Sequence, residues 1–367
     1  MPLPPKAPTN MPIKVLVVDD SAFMRKMVCE ILSRDPDLCV VGQARDGVDA
    51  LLKLELQPDV ITLDVEMPVL DGFGTLAEIM RRRPTPVVML SSLTQHGAES
   101  TLRCLELGAV DFVGKPSGSI SLDIEKVAID LIAKVKAAAK ARLRSAAEIS
   151  PASAPAPSRQ SLTPSRQSRK GDLSPNKTRN SNAGVLVIGA STGGPRALQT
   201  LVPALPANLR LPVVIVQHMS AGFTASLAQR LDAISPLEVR EAAEGDLLKP
   251  GRILVAPGGR HLEFEKDGTA RLTDAPPVHG VRPSVDVTLA SLTRLYGARI
   301  TAVLLTGMGR DGARGLKAIH DLGGDTFAED ETTCTVYGMP KAASELGGVG
   351  CLLPLPQIAP ALVRLFG

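Results

Sequence analysis

Within residues 146–182 the chain reads SPASAPAPSRQSLTPSRQSRKGDLSPNKTRNSN, rich in Pro, Ser, Arg and Lys and nearly empty of large apolar side chains. Such a stretch buries too little apolar surface to offset the entropy lost on ordering it, so it reads as a flexible tether. A basic tail touching an acidic partner is the second reading. Either way, the chain is expected to fold as two units. The first covers 13–136, behind a short extension at 1–12, and the second covers 184–367. Residues 137–183 then hold the end of the first unit's last helix and the tether. At 367 residues there is enough chain for each unit to have its own core.

Composition narrows the classes. A net charge of +3, with no basic stripe interleaved with aromatics, argues against a nucleic-acid binder. Aromatics are only 2 % and Trp is absent, so the cores must be built from Val, Leu, Ile, Ala and Met, the usual lining of parallel α/β sheets. Five scattered cysteines (Cys29, Cys39, Cys104, Cys334 and Cys351) contain no C-x-x-C pair, which speaks against disulfides and zinc and for a reducing cytoplasm. The start, MPLPPKAPTNMP, lacks the apolar core of a signal peptide, and no apolar run reaches the roughly 18–20 residues of a membrane span. No membrane insertion is expected.

In the first unit the apolar runs KVLVVDDS, CVVGQAR, PDVITLDVEMP, PVVMLSS and AVDFVGKP alternate with helical stretches. Five strands with intervening helices predict a doubly wound parallel sheet whose site lies at the strand carboxyl ends. Asp19 and Asp20 end the first run and Asp64 the third. Three converging carboxylates repel unless a hard divalent cation joins them, and Mg²⁺ fits oxygen ligands. Ser91 and Lys115, ending the fourth and fifth runs, add a hydroxyl and an ammonium suited to a phosphoryl group on Asp64. Asp-Asp-Ser could also merely cap the first helix. The texts VLVVDDS, LDVEMPVLDG, VVMLSS and DFVGKP make this unit resemble the response-regulator receiver domains, which are flavodoxin-like. That resemblance implies phosphorylation of Asp64 by a histidine kinase, Mg²⁺ on Asp19, Asp20 and Asp64, phosphate contacts from Ser91 and Lys115, and Phe112 as the switch aromatic.

The second unit opens VLVIGASTGGP, which places Ser191 between a strand-like run and a glycine-rich turn leading into a helix. Such a turn lifts a serine hydroxyl clear of the sheet, with helix N-terminal amides nearby. The same letters can open a dinucleotide site, which would need an acid at the end of the next strand. LPVVIVQ ends instead in Gln217 and His218, and ITAVLLTG is followed by Met308, Gly309, Arg310 and Asp311. Serine, histidine and aspartate thus stand at three strand ends, in the order Ser…His…Asp. His261 and His279 are rival bases, and Asp311 could simply cap the following helix. In HLEFEKDGTARLTD the Asp267-Gly268 pair reads as a hairpin with a type I′ turn. The fold predicted for this unit is a mostly parallel α/β sheet with an antiparallel hairpin at one edge.

Both units together, with GASTGGP, VQHM, VAPGGRHL, VRPSVD and LLTGMGRDGARGL in order, closely resemble the chemotaxis protein-glutamate methylesterase family (CheB). The resemblance implies a triad of nucleophile Ser191, base His218 and orienting Asp311. It implies hydrolysis of glutamate γ-methyl esters on the cytoplasmic helices of chemoreceptors, with release of methanol, and deamidation of certain glutamines. An unphosphorylated receiver is expected to cover the active-site face. The backbone N–H groups of Thr192 and Met308 are expected to hold the oxyanion, with no cofactor for the ester chemistry. Arg282 and Ser284 are candidates for shaping the cleft, Ser284 reading also as a helix N-cap. A DNA-binding regulator would need a helix-turn-helix after the tether, which is missing. A reductase would need the ribose acid, and a non-catalytic adaptor would not need Ser191 or His218.

Overall fold

In a computed structural model of the protein, residues 11–92, 94–115, 121–142 and 184–366 are described. The stretch read as a tether, 146–182, lies outside the described residues, as does most of the extension, at 1–10.

The first sheet contains β1 (Ile13–Val18), β2 (Leu38–Ala44), β3 (Val60–Asp64), β4 (Val87–Ser91) and β5 (Asp111–Gly114). Their order is β2-β1-β3-β4-β5 and every neighbouring pair is parallel. The helices α1 (Ala22–Leu32), α2 (Gly47–Leu52), α3 (Gly72–Arg82), α4 (Gln95–Leu107) and α5 (Ser121–Ala138) connect the strands or follow the last of them. The inner strands are buried on both faces, Val15 to Val18 completely, which is why they read as unbroken apolar runs. Caps separate the elements: Ser21 accepts from Met24 N–H, Asp71 from Gly74 N–H and Thr94 from Gly97 N–H. Because Ser21 does the capping of α1, Asp20 is free of that task.

The second unit runs β6 (Val185–Ala190), α6 (Gly194–Leu201), β7 (Val213–Gln217), α7 (Phe223–Asp232), β8 (Glu238–Glu241) and β9 (Arg252–Val255). It continues with β10 (His261–Phe264), β11 (Ala270–Thr273), α8 (Val285–Tyr296), β12 (Ile300–Leu304), α9 (Ala313–Asp321) and β13 (Asp325–Glu329). It closes with α10 (Met339–Glu345), β14 (Cys351–Leu353) and α11 (Leu355–Phe366). Seven strands form one parallel sheet in the order β14-β13-β12-β6-β7-β9-β8. The chain order reverses at β6, between β12 and β7, and that crevice is where such sheets place ligands.

The expected antiparallel hairpin is present as β10 and β11, a two-stranded sheet of its own with Thr288 of α8 bonded to the Leu262 carbonyl. Its turn departs from the type I′ expectation. Type I′ needs positive φ at both central residues, whereas here only Gly268 (φ 85°) has it and Asp267 does not. Gly268 N–H instead reaches the Glu265 carbonyl at 2.9 Å, giving a longer loop with a glycine bulge. β8, β13 and β14 are not among the strands expected from the sequence. Among the described residues no helix is long and apolar enough to cross a membrane.

The two units touch. The Phe112 ring on β5 packs against Phe223 of α7, with centroids 4.2 Å apart. Glu106 of α4 receives Gln199 of α6 and Arg230 of α7. Asp111, at the start of β5, accepts from the Thr192 hydroxyl, so the first unit grips the residue next to Ser191.

Candidate active site

Ser191 follows directly on β6, and its backbone is held from three sides. Its N–H donates to the Thr306 carbonyl at 3.0 Å, and its carbonyl accepts from Gly194 N–H at 2.7 Å and from Gln217 Nε2 at 2.9 Å. Gly193 has φ 78°, the left-handed region that favours glycine, and a Cβ there would lie 2.4 Å from Thr335 Oγ1. The sharp turn into α6 therefore depends on that glycine. Gly307 comes as close on the other side, where a Cβ would lie 2.6 Å from Ser191 Cβ. Met308, next along that loop, is half exposed, while Thr192 is buried. Among the described residues neither the Thr192 N–H nor the Met308 N–H has an acceptor.

His218 follows β7 and is tied to β6 by its own N–H, 3.0 Å from the Ala190 carbonyl. Its Nε2 lies 2.8 Å from Asp311 Oδ2. The nitrogen left to accept a proton is therefore Nδ1, the reverse of the commoner Nδ1-to-aspartate arrangement. Among the described residues no hydrogen bond joins Ser191 Oγ to the imidazole.

Asp311 is 2 % exposed and takes four donors: His218 Nε2, Ser284 Oγ at 2.8 Å, Val285 N–H at 2.6 Å and Asp286 N–H at 3.2 Å. Burial works against its charge. The hydrogen bond and charge of His218 and the donors from Ser284 and Val285 outweigh that and hold the carboxyl below the usual range. Asp311 does not cap the helix that follows it, since Gly312 is the N-cap of α9. It sits instead against the first turn of α8, whose dipole and free N–H groups favour an anion. Ser284 fills both roles open to it, capping α8 through Val287 N–H and donating to Asp311.

The other candidates fall elsewhere. His261 is fully buried in β10 with Nε2 3.1 Å from the Pro276 carbonyl, as a core histidine would be. His279 Nε2 lies 3.2 Å from Asp286 Oδ2. His279, Asp286 and Asp311 have ligand atoms within 4.8 Å of one another, but both Asp311 oxygens are already taken up by N–H and O–H donors. Arg282 holds its own loop, donating to the Asp274 and Ala275 carbonyls. The dinucleotide reading gains nothing, for the end of β7 carries Gln217 rather than an acid.

At the carboxyl ends of the first sheet, Asp19, Asp20 and Asp64 bring carboxylate oxygens within 4.8 Å of one another. Lys115 Nζ bridges Asp64 at 2.6 Å and Asp19 at 2.9 Å. Burial pushes the Asp64 carboxyl up to about 6, which Lys115 only partly offsets. Burial likewise opposes the Lys115 charge, yet the two carboxylates outweigh it and raise its pKa. Ser91 is turned toward α4, accepting from Thr101 Oγ1 at 2.7 Å and lying 3.2 Å from the Gly97 carbonyl. Phe112 is buried at the contact with Phe223.

Comparison with known proteins agrees with both halves. Residues 186–362 match the family described as CheB methylesterase, and residues 15–124 match the response regulator receiver domain. A protein-glutamate methylesterase/protein-glutamine glutaminase of Symbiobacterium thermophilum is 55 % identical over 97 % of this chain and 98 % of its own length. A protein of the same name from Pyrococcus abyssi is 43 % identical over 97 % of this chain and 94 % of its own. Among solved structures, the Thermotoga maritima CheB methylesterase catalytic domain is 44 % identical, covering 50 % of this chain and 98 % of that one, with a TM-score of 0.49. The response regulator domain of Thermotoga maritima CheB is 52 % identical, covering 36 % and 98 %, with a TM-score of 0.34.

Proposed function

The chain belongs to the CheB methylesterase family, and from that premise we propose that Ser191, His218 and Asp311 are the triad of a protein-glutamate methylesterase and protein-glutamine glutaminase switched by phosphorylation of Asp64. The observation that carries this is the His218–Asp311 pair at 2.8 Å, beside the strand end that bears Ser191.

His218 Nδ1 takes the Ser191 proton as Oγ attacks the γ-carbonyl of a receptor glutamate methyl ester. The N–H groups of Thr192 and Met308 hold the oxyanion, each such donor being worth about 10²–10³ in rate. Their lack of any other acceptor among the described residues supports that role. Collapse of the tetrahedral adduct passes the proton from His218 to methanol and leaves the glutamyl ester of Ser191. Water, deprotonated by His218, then cleaves that ester, restoring the serine and giving the glutamate. With a glutamine substrate the leaving group is ammonia. Asp311 keeps the Nε2–H tautomer and stabilises the imidazolium. Ser284 acts on the cleft by way of Asp311, whereas Arg282 ties its own loop to the Asp274 and Ala275 carbonyls.

The receiver, assigned to 13–136, lies ahead of the linker at 137–183 and the catalytic domain at 184–367. In it the hard oxygen set of Asp19, Asp20 and Asp64 suits Mg²⁺, which when bound supplies charge neutralisation for the phosphoryl group. A histidine kinase donates that group to Asp64, and Ser91 and Lys115 close on it. Phe112, at the contact with Phe223, carries the change to the catalytic domain. The setting is the cytoplasm, with chemoreceptor helices as substrate. The test is methanol release from methylated receptor with a small phosphodonor and Mg²⁺. Wild type should release methanol and Ser191→Ala should not; equal rates would refute the proposal.

A further inference from the structure

We infer that Gln217 is a positioning residue that holds the nucleophile and the base in register, an inference that rests on the roles of Ser191 and His218 proposed above. Gln217 is the last residue of β7 and is 1 % exposed. Its carboxamide Nε2 lies 2.9 Å from the Ser191 carbonyl and 3.1 Å from the His218 carbonyl. Both acceptors are carbonyls, so only the NH₂ end can face them, and each of its hydrogens has a use. The β6–β7 ladder ends at the Ala190–Gln217 pair. One further backbone bond follows, from His218 N–H to the Ala190 carbonyl. Beyond it, among the described residues, the Gln217 carboxamide alone joins the Ser191 peptide by a hydrogen bond to the strand that carries the base.

A second observation points to the same carboxamide. Gly194 lies inside α6 without a positive φ, so its backbone does not require glycine. Its surroundings do: a Cβ at Gly194 would lie 2.0 Å from Gln217 Oε1. That oxygen is buried and has no hydrogen-bond donor among the described residues. Nearly all buried polar atoms are paired, so an acceptor left bare beside a nucleophile asks for a reason. Placing the NH₂ end on two carbonyls strands the oxygen, and Gly194 leaves the room for it.

The experiment uses the full-length protein with phosphodonor and Mg²⁺, following methanol release from methylated receptor. Gln217→Met keeps the volume and removes the donors. A misplacement of about 1 Å costs on the order of 10²-fold, so kcat should fall roughly 10–100-fold with KM unchanged. Gly194→Ala displaces an intact carboxamide and should give the same kcat-only loss; it carries the test should Gln217→Met fail to fold. A folded Gln217→Met with wild-type kcat, or with a loss confined to KM, would overturn the inference while Ser191→Ala stays inactive. Activity surviving in Ser191→Ala would instead sink the nucleophile assignment, and the inference with it.

Discussion

Replacing Asp111 by Ala should raise the unphosphorylated rate of the intact protein. Its carboxylate accepts from the Thr192 hydroxyl across the contact between units, and Thr192 adjoins the nucleophile. A hydrogen bond to a charged group contributes about 1.5–3 kcal/mol. Burial pushes the Asp111 carboxyl up, against the pull of the Lys134 charge, and the lower end of the range is taken as the minimum effect. Loss of about 1.5 kcal/mol shifts the docked–undocked balance roughly tenfold. Lys134 keeps Asp130 at 3.0 Å, so no cation is stranded. Other contacts remain, among them the Phe112–Phe223 pair, Gln199 and Arg230 on Glu106, and Arg142 with Glu331, the ion pairs being partly exposed and worth about 0–1 kcal/mol each. The assay is methanol release without phosphodonor, for wild type, Asp111→Ala, Thr192→Val and the double variant. We expect each single variant to gain about tenfold and the double variant no more, because both remove one bond. An unchanged basal rate in Asp111→Ala, or fully additive gains in the double variant, would refute the reasoning.

Other outcomes follow from the same geometry. His218→Ala should lose nearly as much as a triad serine variant, on the order of 10⁶ in turnover, whereas His261→Ala should be catalytically mild because its ring faces the Pro276 carbonyl; equal losses would reassign the base. Asp311→Asn should cut kcat by about 10⁴ while the fold persists, and circular dichroism with steady-state rates would expose a purely structural role. The depressed Asp311 pKa adds stability that is present above the ordinary carboxylate value of about 4 and is lost as pH falls through the folded value, so Asp311→Asn should flatten the acid limb of unfolding. Asp64→Ala should keep basal activity and ignore phosphodonor; activation by phosphodonor in that variant would place the phosphorylation elsewhere.

What the sequence made legible follows from burial. β1, β3, β4, β5, β6, β7, β9 and β12 are buried through most or all of their length, so each appears as an apolar run, whereas the edge strand β2 keeps only Leu38 and Ala44 buried. Ser191, His218 and Asp64 stand at or just past the ends of such runs, and Asp311 stands in the loop after β12. β8 and β14 are edge strands with partly exposed residues; β8 spells EVRE, and β14 is apolar but only the three residues CLL, too short to stand out as a strand. β13 is interior but spells DTFAE, because its Glu329 is buried to receive Thr306 N–H. The hairpin was visible, but its turn type was not, since the Asp267 conformation depends on loop length. In the sequence Gln217 reads only as a missing acid; its bonds to two carbonyls need the third dimension. The Asp111–Thr192 bond joins residues 81 positions apart across two separate folding units, and no local pattern encodes it.

The most direct measurement is the rate at which a fluorophosphonate ester, which phosphonylates activated serines, modifies the full-length protein with and without phosphodonor and Mg²⁺, the modified residue being identified by peptide mass. The account predicts a single adduct on Ser191, forming roughly 5–150-fold faster after phosphorylation, the range expected for a coupling of 1–3 kcal/mol. An adduct on another serine, or a Ser191 rate indifferent to phosphorylation, would contradict it.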